Sequence, residues 1–323
     1  LNLFNRVKEL KESGITWSEI AKTVANVRQF ENGEALRSWY RRERVKESTD
    51  DVKFYVDSKM PAALPTPFES ILQLKLERDE VALVVSDVHV PYHQEELLES
   101  IISKVNILDN LKAIIIAGDL FTFDQISKYS KAHNIPRMET ELEIGGSVLL
   151  YLSKYAPLYI TNSNHDARFA NKIDAQFSLK RLMNAALNGR TPENQINTTE
   201  RDYMFVNDDF IIGHLSSATG SAGKIAHNIA QKYQRHCLAG HDHITGVFNP
   251  RSKYVGASIG CVADYKKFWY SEKGMNPAKF MQNGYALISG SSDIKLFNDK
   301  YMYFHRWYDE ATYSTCVTDL KTT

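Results

Sequence analysis

Val81-Ala82-Leu83-Val84-Val85-Ser86-Asp87-Val88-His89 is an apolar run of strand length that ends by setting an Asp and a His two residues apart. The same construction recurs down the chain. Ala113-Ile114-Ile115-Ile116-Ala117 leads into Gly118-Asp119, and Leu158-Tyr159-Ile160 precedes Asn164-His165-Asp166. Phe210-Ile211-Ile212 leads into Gly213-His214, and Cys237-Leu238-Ala239 into Gly240-His241-Asp242-His243. Short continuous apolar runs closed by polar residues read as buried strands. In open α/β sheets ligands gather at the carboxyl ends of strands, so five such ends can converge on one spot. They would deliver Asp87, Asp119, His89, His214, His241, His243 and Asn164, with His165 in addition.

Outward from these runs, helical patterns over residues 95–108 and 139–155 alternate with the strands, which is the α/β signature. The stretch from about 255 to 305 returns to strand-like runs such as Tyr285-Ala286-Leu287-Ile288-Ser289. The expected fold class is α/β (α+β): a two-sheet β-sandwich flanked by helices over residues 77–323, preceded by a small three-helix domain at 1–46. Residues 47–76, with Glu47, Asp50, Asp51 and then Pro61, Pro65 and Pro67, read as a semi-rigid extended linker.

In the first 46 residues Leu3-Phe4, Val7 and Leu10 lie at helical spacing up to Gly14, and Thr16-Trp17-Ser18-Glu19 is a capping-box pattern. A third helix from Glu34 to Arg44 would bury Leu36, Trp39 and Tyr40 and display Arg37, Arg41, Arg42 and Arg44. Three short helices with a basic third member fit the helix-turn-helix plan, in which the last helix enters the major groove of DNA. A three-helix bundle used for packing, protein docking or dimerisation fits the same pattern.

The 39 basic and 39 acidic residues balance, so no global positive field announces a nucleic-acid partner. Cys237, Cys261 and Cys316 are odd in number and widely spaced, which argues against a disulfide framework or thiolate zinc site and for a reducing compartment. With no apolar run of membrane-spanning length and no signal-peptide pattern, a soluble, cytoplasmic protein without a membrane partner is expected.

Imidazole and carboxylate together suit a divalent ion of borderline character. Asp87 and His89 can both reach such an ion only if the strand breaks into a loop there. Asp119, with two carboxylate oxygens, can bridge two ions, and His241 and His243 can each address a different one. Two ions about 3.5–4 Å apart clamp the attacking and leaving oxygens of an in-line displacement and acidify a bridging water. The expected cofactors are two divalent ions, manganese first, with iron, zinc or magnesium as alternatives.

The order Asp-x-His, Gly-Asp, Asn-His-Asp, Gly-His, Gly-His-x-His resembles the calcineurin-like metallophosphoesterase superfamily over roughly residues 80–290. The resemblance implies a two-sheet sandwich with a dinuclear site at the strand ends. It places Asp87, His89, Asp119 and His243 on one ion and Asp119, Asn164, His214 and His241 on the other. His165 would protonate or stabilise the leaving oxygen without binding metal, and Asp166 would orient it. Three positions depart from the family pattern: Ser163 stands where Gly is usual, Asp242 where a small or hydroxyl residue is usual, and no Arg follows Gly118-Asp119 as in the GDxxDRG of its protein phosphatases. The last departure favours phosphodiesters.

The expected activity is therefore hydrolysis of nucleic-acid phosphodiesters, as a DNA nuclease, by attack of a metal-bridging hydroxide. The alternative is a phosphatase or phosphodiesterase for a small nucleotide or phosphoprotein. Residues 121–137, including Phe121 and Phe123, are candidates for stacking bases and contacting backbone phosphates, or an ordinary amphipathic helix and loop; the basic and aromatic stretch 265–279 is a second nucleic-acid candidate, or a folded lid with Trp269 buried. A homodimer is compatible with the helix-turn-helix plan.

Overall fold

The structure is a computed structural model that describes residues 2–54, 71–127, 135–173, 177–215, 221–268, 281–298 and 302–305, with side chains outside the description at 44–54, 173 and 302–305. The chain divides into two compact units, Leu1–Pro67 and Phe68–Thr323.

In the first unit α1 (Leu3–Glu12) ends before Gly14, and α2 (Trp17–Thr23) opens with the Thr16/Glu19 capping box in place. The third helix, α3, spans Gly33–Phe54. Phe4, Val7, Ile20, Ala21, Val24, Leu36 and Trp39 form the buried core, with Tyr40 stacked on Phe4 at 4.8 Å. Two features differ from the sequence expectation. Residues 24–32 separate α2 from α3, longer than the 3–4-residue turn of a helix-turn-helix. And α3 continues through residues 47–54, read as extended linker, because no Gly or Pro interrupts the chain between Gly33 and Pro61. The linker prolines lie outside the described residues.

The second unit is built on two mixed sheets flanked by helices. Its strands are β1 (Gln73–Leu74), β2 (Val81–Val85), β3 (Leu111–Ile116), β4 (Leu158–Thr161), β5 (Ile196–Thr199), β6 (Tyr203–Val206), β7 (Phe210–His214), β8 (His236–Gly240), β9 (Thr245–Phe248), β10 (Gly256–Ile259), β11 (Gly284–Ser289), β12 (Ile294–Asn298) and β13 (Met302–His305). Its helices are α4 (Glu95–Val105), α5 (Met138–Ser153), α6 (Asn164–Ile173), α7 (Leu179–Leu187) and α8 (Lys224–Tyr233). One sheet has the order β1-β6-β7-β8-β10-β9 and the other β13-β12-β11-β2-β3-β4-β5.

Alternation along the strands sorts the cores. Ala82, Val84, Ala113 and Ile115 face the other sheet and meet Met204, Phe210, Ile212 and Leu238. Leu83, Val85, Ile114 and Ile116 face the opposite way and pack under α4, α5 and α7 through Leu98, Ile102, Leu149, Leu152 and Leu182. Because β2 and β3 are buried on both faces, their sequences are continuous apolar runs rather than alternating ones. This is the sandwich that the motif resemblance implies. No helix among the described residues is long and apolar enough to cross a membrane.

Candidate metal centre

The five motifs lie where carboxyl ends from both sheets meet: β2, β3 and β4 in one, β7 and β8 in the other. The strand break expected at Asp87 is present. Asp87, His89, Asp119, His241 and His243 all have positive φ, between 49° and 95°. Non-glycine residues adopt that region at a cost of roughly 1–2 kcal/mol each, and such outliers cluster at functional sites. Two glycines permit the close approach. Gly118, at φ +74°, sets its Cα against His214 and Ser163, and a Cβ on Gly240 would collide with Ser86 Oγ and Asp87 Oδ2.

Two groups of donor atoms result. In the first, Asp87 Oδ1 lies 2.9 Å from His243 Nε2 and 3.7 Å from His89 Nε2, and the two ring nitrogens are 3.2 Å apart. Asp87 Oδ1 is fully buried and makes no hydrogen bond, whereas Oδ2 accepts from the Ser86 hydroxyl at 2.5 Å and the His241 N–H at 2.9 Å. In the second, His214 Nε2 lies 3.0 Å from Asn164 Oδ1, 3.1 Å from His241 Nδ1 and 3.2 Å from Asp119 Oδ2. His214 Nδ1 donates to the Ala117 carbonyl at 3.2 Å, which leaves its Nε2 lone pair facing those atoms. Asp119 Oδ2 joins the groups, being also 3.6 Å from His89 Nε2.

Lone pairs pointed at one another inside a protein are costly unless a cation or proton lies between them. An orphaned carboxylate oxygen among ring nitrogens therefore fits a divalent ion, and these buried Asp and His groups could hold one at each place. Without an ion, protons carry that balance. Burial opposes ionisation of Asp87, but the imidazoles of His243 and His214 outweigh it and hold its carboxyl well below the usual carboxylate range. Burial likewise opposes charge on His214, yet Asp119 and Asp87 lift it to about 9.

His165 sits beside this set. Its N–H donates to Asp119 Oδ1 at 3.2 Å, and its ring Nδ1 donates to the Thr122 carbonyl at 2.8 Å. Its Nε2 is 3.8 Å from Asp119 Oδ2, near enough for proximity alone to admit it as a ligand. The Arg168 guanidinium stands 3.1 Å from that same nitrogen, and a second cation there would be repelled. Burial, helped by the charge of His89 and Arg168, pushes His165 down to about 3.

Asp166 does not orient His165. Consecutive helical residues point about 100° apart, and Asp166 turns inward instead. Its carboxylate accepts from the Ser163 hydroxyl at 2.8 Å and the Phe121 N–H at 3.2 Å, while its own N–H donates to Ser163 Oγ. Ser163 thus caps α6, which explains a hydroxyl residue where Gly is usual in the resembling family. Asp242 similarly anchors its loop, accepting from Ser258 Oγ at 2.6 Å and the Ile244 N–H at 3.2 Å.

The other sequence candidates fare differently. Phe121 and Phe123 are buried against each other and Phe169, so they stack in the core and not on bases. Trp269 and the basic residues around it lie outside the described residues. In the first unit Arg41 and Arg42 are exposed and Arg37 pairs with Glu34 at 3.6 Å, while the Arg44 side chain lies outside the described residues. A cavity of about 420 Å³ between α4 and α5, reached by His93 and Tyr151, contains none of the motif residues, so the donor set and not cavity size locates the chemistry. Arg168 is the site residue that sequence motifs missed. Its spacing of three from His165 was the available signal.

No family model matches the chain, and no curated protein matches it. Among solved structures it is similar to vacuolar protein sorting 29 from Cryptosporidium parvum, with 13% identity, a TM-score of 0.36, and coverage of 76% of this chain and 100% of that one. It is also similar to the nuclease MPE from Pseudomonas putida, with 16% identity, a TM-score of 0.31, and coverage of 65% of this chain and 84% of that one.

Proposed function

We propose that this chain is a dinuclear-metal-dependent phosphodiesterase that hydrolyses nucleic acid, with DNA as the first substrate to test and manganese the first metal. The observation that carries this reading is the pairing of two donor groups through Asp119 Oδ2, which lies 3.2 Å from His214 Nε2 and 3.6 Å from His89 Nε2. Asp87, His89 and His243 would hold one ion, Asn164, His214 and His241 the other, and Asp119 both. When bound, such ions activate water and offset charge on the phosphate.

The remaining chemistry belongs to the protein. His165 has Nδ1 committed to the Thr122 carbonyl, so Nε2, 3.1 Å from Arg168 Nη2, is the ring atom that would meet the leaving oxygen. The negative charge of a phosphate favours the protonated ring, opposing the burial that keeps it neutral in the free site. Seating the site at buried strand ends excludes bulk water and fixes donor positions. The DNA assignment rests on the separate first unit, whose exposed Arg41 and Arg42 would contact backbone phosphates.

One observation favours the second reading, a phosphatase for a small nucleotide or phosphoprotein. Arg168 brings a guanidinium to the centre from α6. The absence of Arg after Asp119 therefore does not by itself exclude a phosphomonoester. Metal-loaded protein incubated with linear and single-stranded DNA, bis(p-nitrophenyl) phosphate and p-nitrophenyl phosphate separates the two. Cleavage of DNA and the diester supports the nuclease; intact DNA with turnover of the monoester refutes it.

A further inference from the structure

Arg168 has a position that the metal-centre reading does not use. On α6 it lies four residues after Asn164 and three after His165, which puts the three on one face. Asp166, about 100° further round the helix than His165, is buried. The guanidinium lies against the His165 ring, with Nη1 3.2 Å from Nδ1 and Nη2 3.1 Å from Nε2. Because Nδ1–H is given to the Thr122 carbonyl, Nδ1 cannot accept a hydrogen bond, and the guanidinium instead donates Nη2–H to the Nε2 lone pair at 3.1 Å. Of the five N–H donors a guanidinium carries, a second meets the Thr122 carbonyl at a long 3.4 Å, which leaves three. No carboxylate among the described residues forms an ion pair with Arg168, although the acidic Asp124 is near enough to feel its charge. A partly buried cation is thus held rigidly at the edge of the donor groups with most of its donors unspent.

We propose that Arg168 is the phosphate-gripping residue of this centre, donating to the non-bridging oxygens of the substrate phosphate and of the phosphate product. The inference rests on the metal-centre reading, since it takes the phosphate to sit beside Asp119 and His165. A planar fork suits two phosphate oxygens at once, and the bonds to His165 Nε2 and the Thr122 carbonyl preorganise it. The same contact keeps a third cation away from His165, so one side chain serves both the anion and the free state of the acid.

The test is binding of inorganic phosphate to the metal-loaded full chain by calorimetry, with metal content measured in parallel. Arg168→Ala is expected to weaken phosphate about 10–100-fold, the usual range for a lost charged hydrogen bond, with metal content unchanged. Arg168→Lys keeps the charge and stem but not the fork, and is expected to recover part of the affinity. Unchanged phosphate affinity in folded Arg168→Ala, loss of its ions, or no measurable phosphate binding by the wild type would each overturn the proposal. Should the alanine variant fail to fold, full wild-type affinity in Arg168→Lys overturns it equally. Phosphate binding needs no turnover, so the two readings fail separately. A chain that binds phosphate through Arg168 but leaves DNA whole refutes only the nuclease, and one that cuts DNA while Arg168→Ala binds phosphate normally refutes only this assignment.

Discussion

Replacing Glu141 by Gln should make the protein more stable above neutral pH and leave it unchanged near pH 5. Glu141 sits on α5 with no solvent exposure. Its Oε2 accepts the Phe123 N–H at 2.7 Å, and its Oε1 has no partner. Burial pushes its carboxyl from 4.5 up to about 8 against the pull of the Phe123 amide, and the neighbouring Asp124 adds to the rise. Between those two values the folded chain keeps a proton that the unfolded chain has released, so folding stability falls as pH rises through the window and levels off above it. At about 1.36 kcal/mol per pH unit the full loss is of order 5 kcal/mol, about 3 of it incurred by pH 7. In Glu141→Gln the side-chain amide would still accept from Phe123 but cannot ionise, so the variant's stability should stay nearly flat. Urea unfolding of both proteins from pH 5 to 9 in chelator, which removes metal linkage, measures the difference directly. The curves should meet at low pH and diverge by several kcal/mol at pH 9. Parallel curves, or a variant less stable than wild type at pH 9, would show that the Glu141 carboxyl is not raised in the native protein and refute the reasoning.

His165→Ala should lower kcat by about 10²–10⁴-fold with metal content intact; a loss of bound metal would make His165 a ligand instead. Gly118→Ala forces a Cβ at φ +74° to within 2.5 Å of His214 Cβ and 2.8 Å of Ser163 Cβ. Overpacking and the left-handed backbone together should cost about 2–4 kcal/mol, read as a Tm lower by roughly 5 °C or more and a weaker ion at the His214 group. Arg41→Gln and Arg42→Gln should each flatten the log–log salt dependence of DNA affinity by about 0.9 if each arginine neutralises one phosphate, and an unchanged slope would exclude those contacts.

The strands and their terminal donors were legible in the sequence for a common reason. Strands buried on both faces must be continuously apolar, and a donor at the end of such a run has few directions open to it. The helices of the first unit were legible as far as their caps, since Thr16 and Glu19 satisfy a local rule; the end of α3 was not, because charged residues continue a helix as readily as they leave one. The misread residues share a different cause. Asp166 and Arg168 follow His165 in the chain, but their roles depend on where α6 begins. Ser163 caps it, so Asn164, His165 and Arg168 fall on the side of the donor groups, and Asp166 turns back to the Ser163 hydroxyl and the Phe121 N–H. Had the helix begun one residue later, every one of those directions would turn by about 100°. The same cap decides how Thr122 is used. With Phe121 tied to Asp166 and Phe123 to Glu141, the carbonyl between them is held where His165 Nδ1 and Arg168 both reach it. Phe121 and Phe123 flank that carbonyl with their rings buried in the core, which is why an aromatic run that resembles a base-stacking surface packs inward instead.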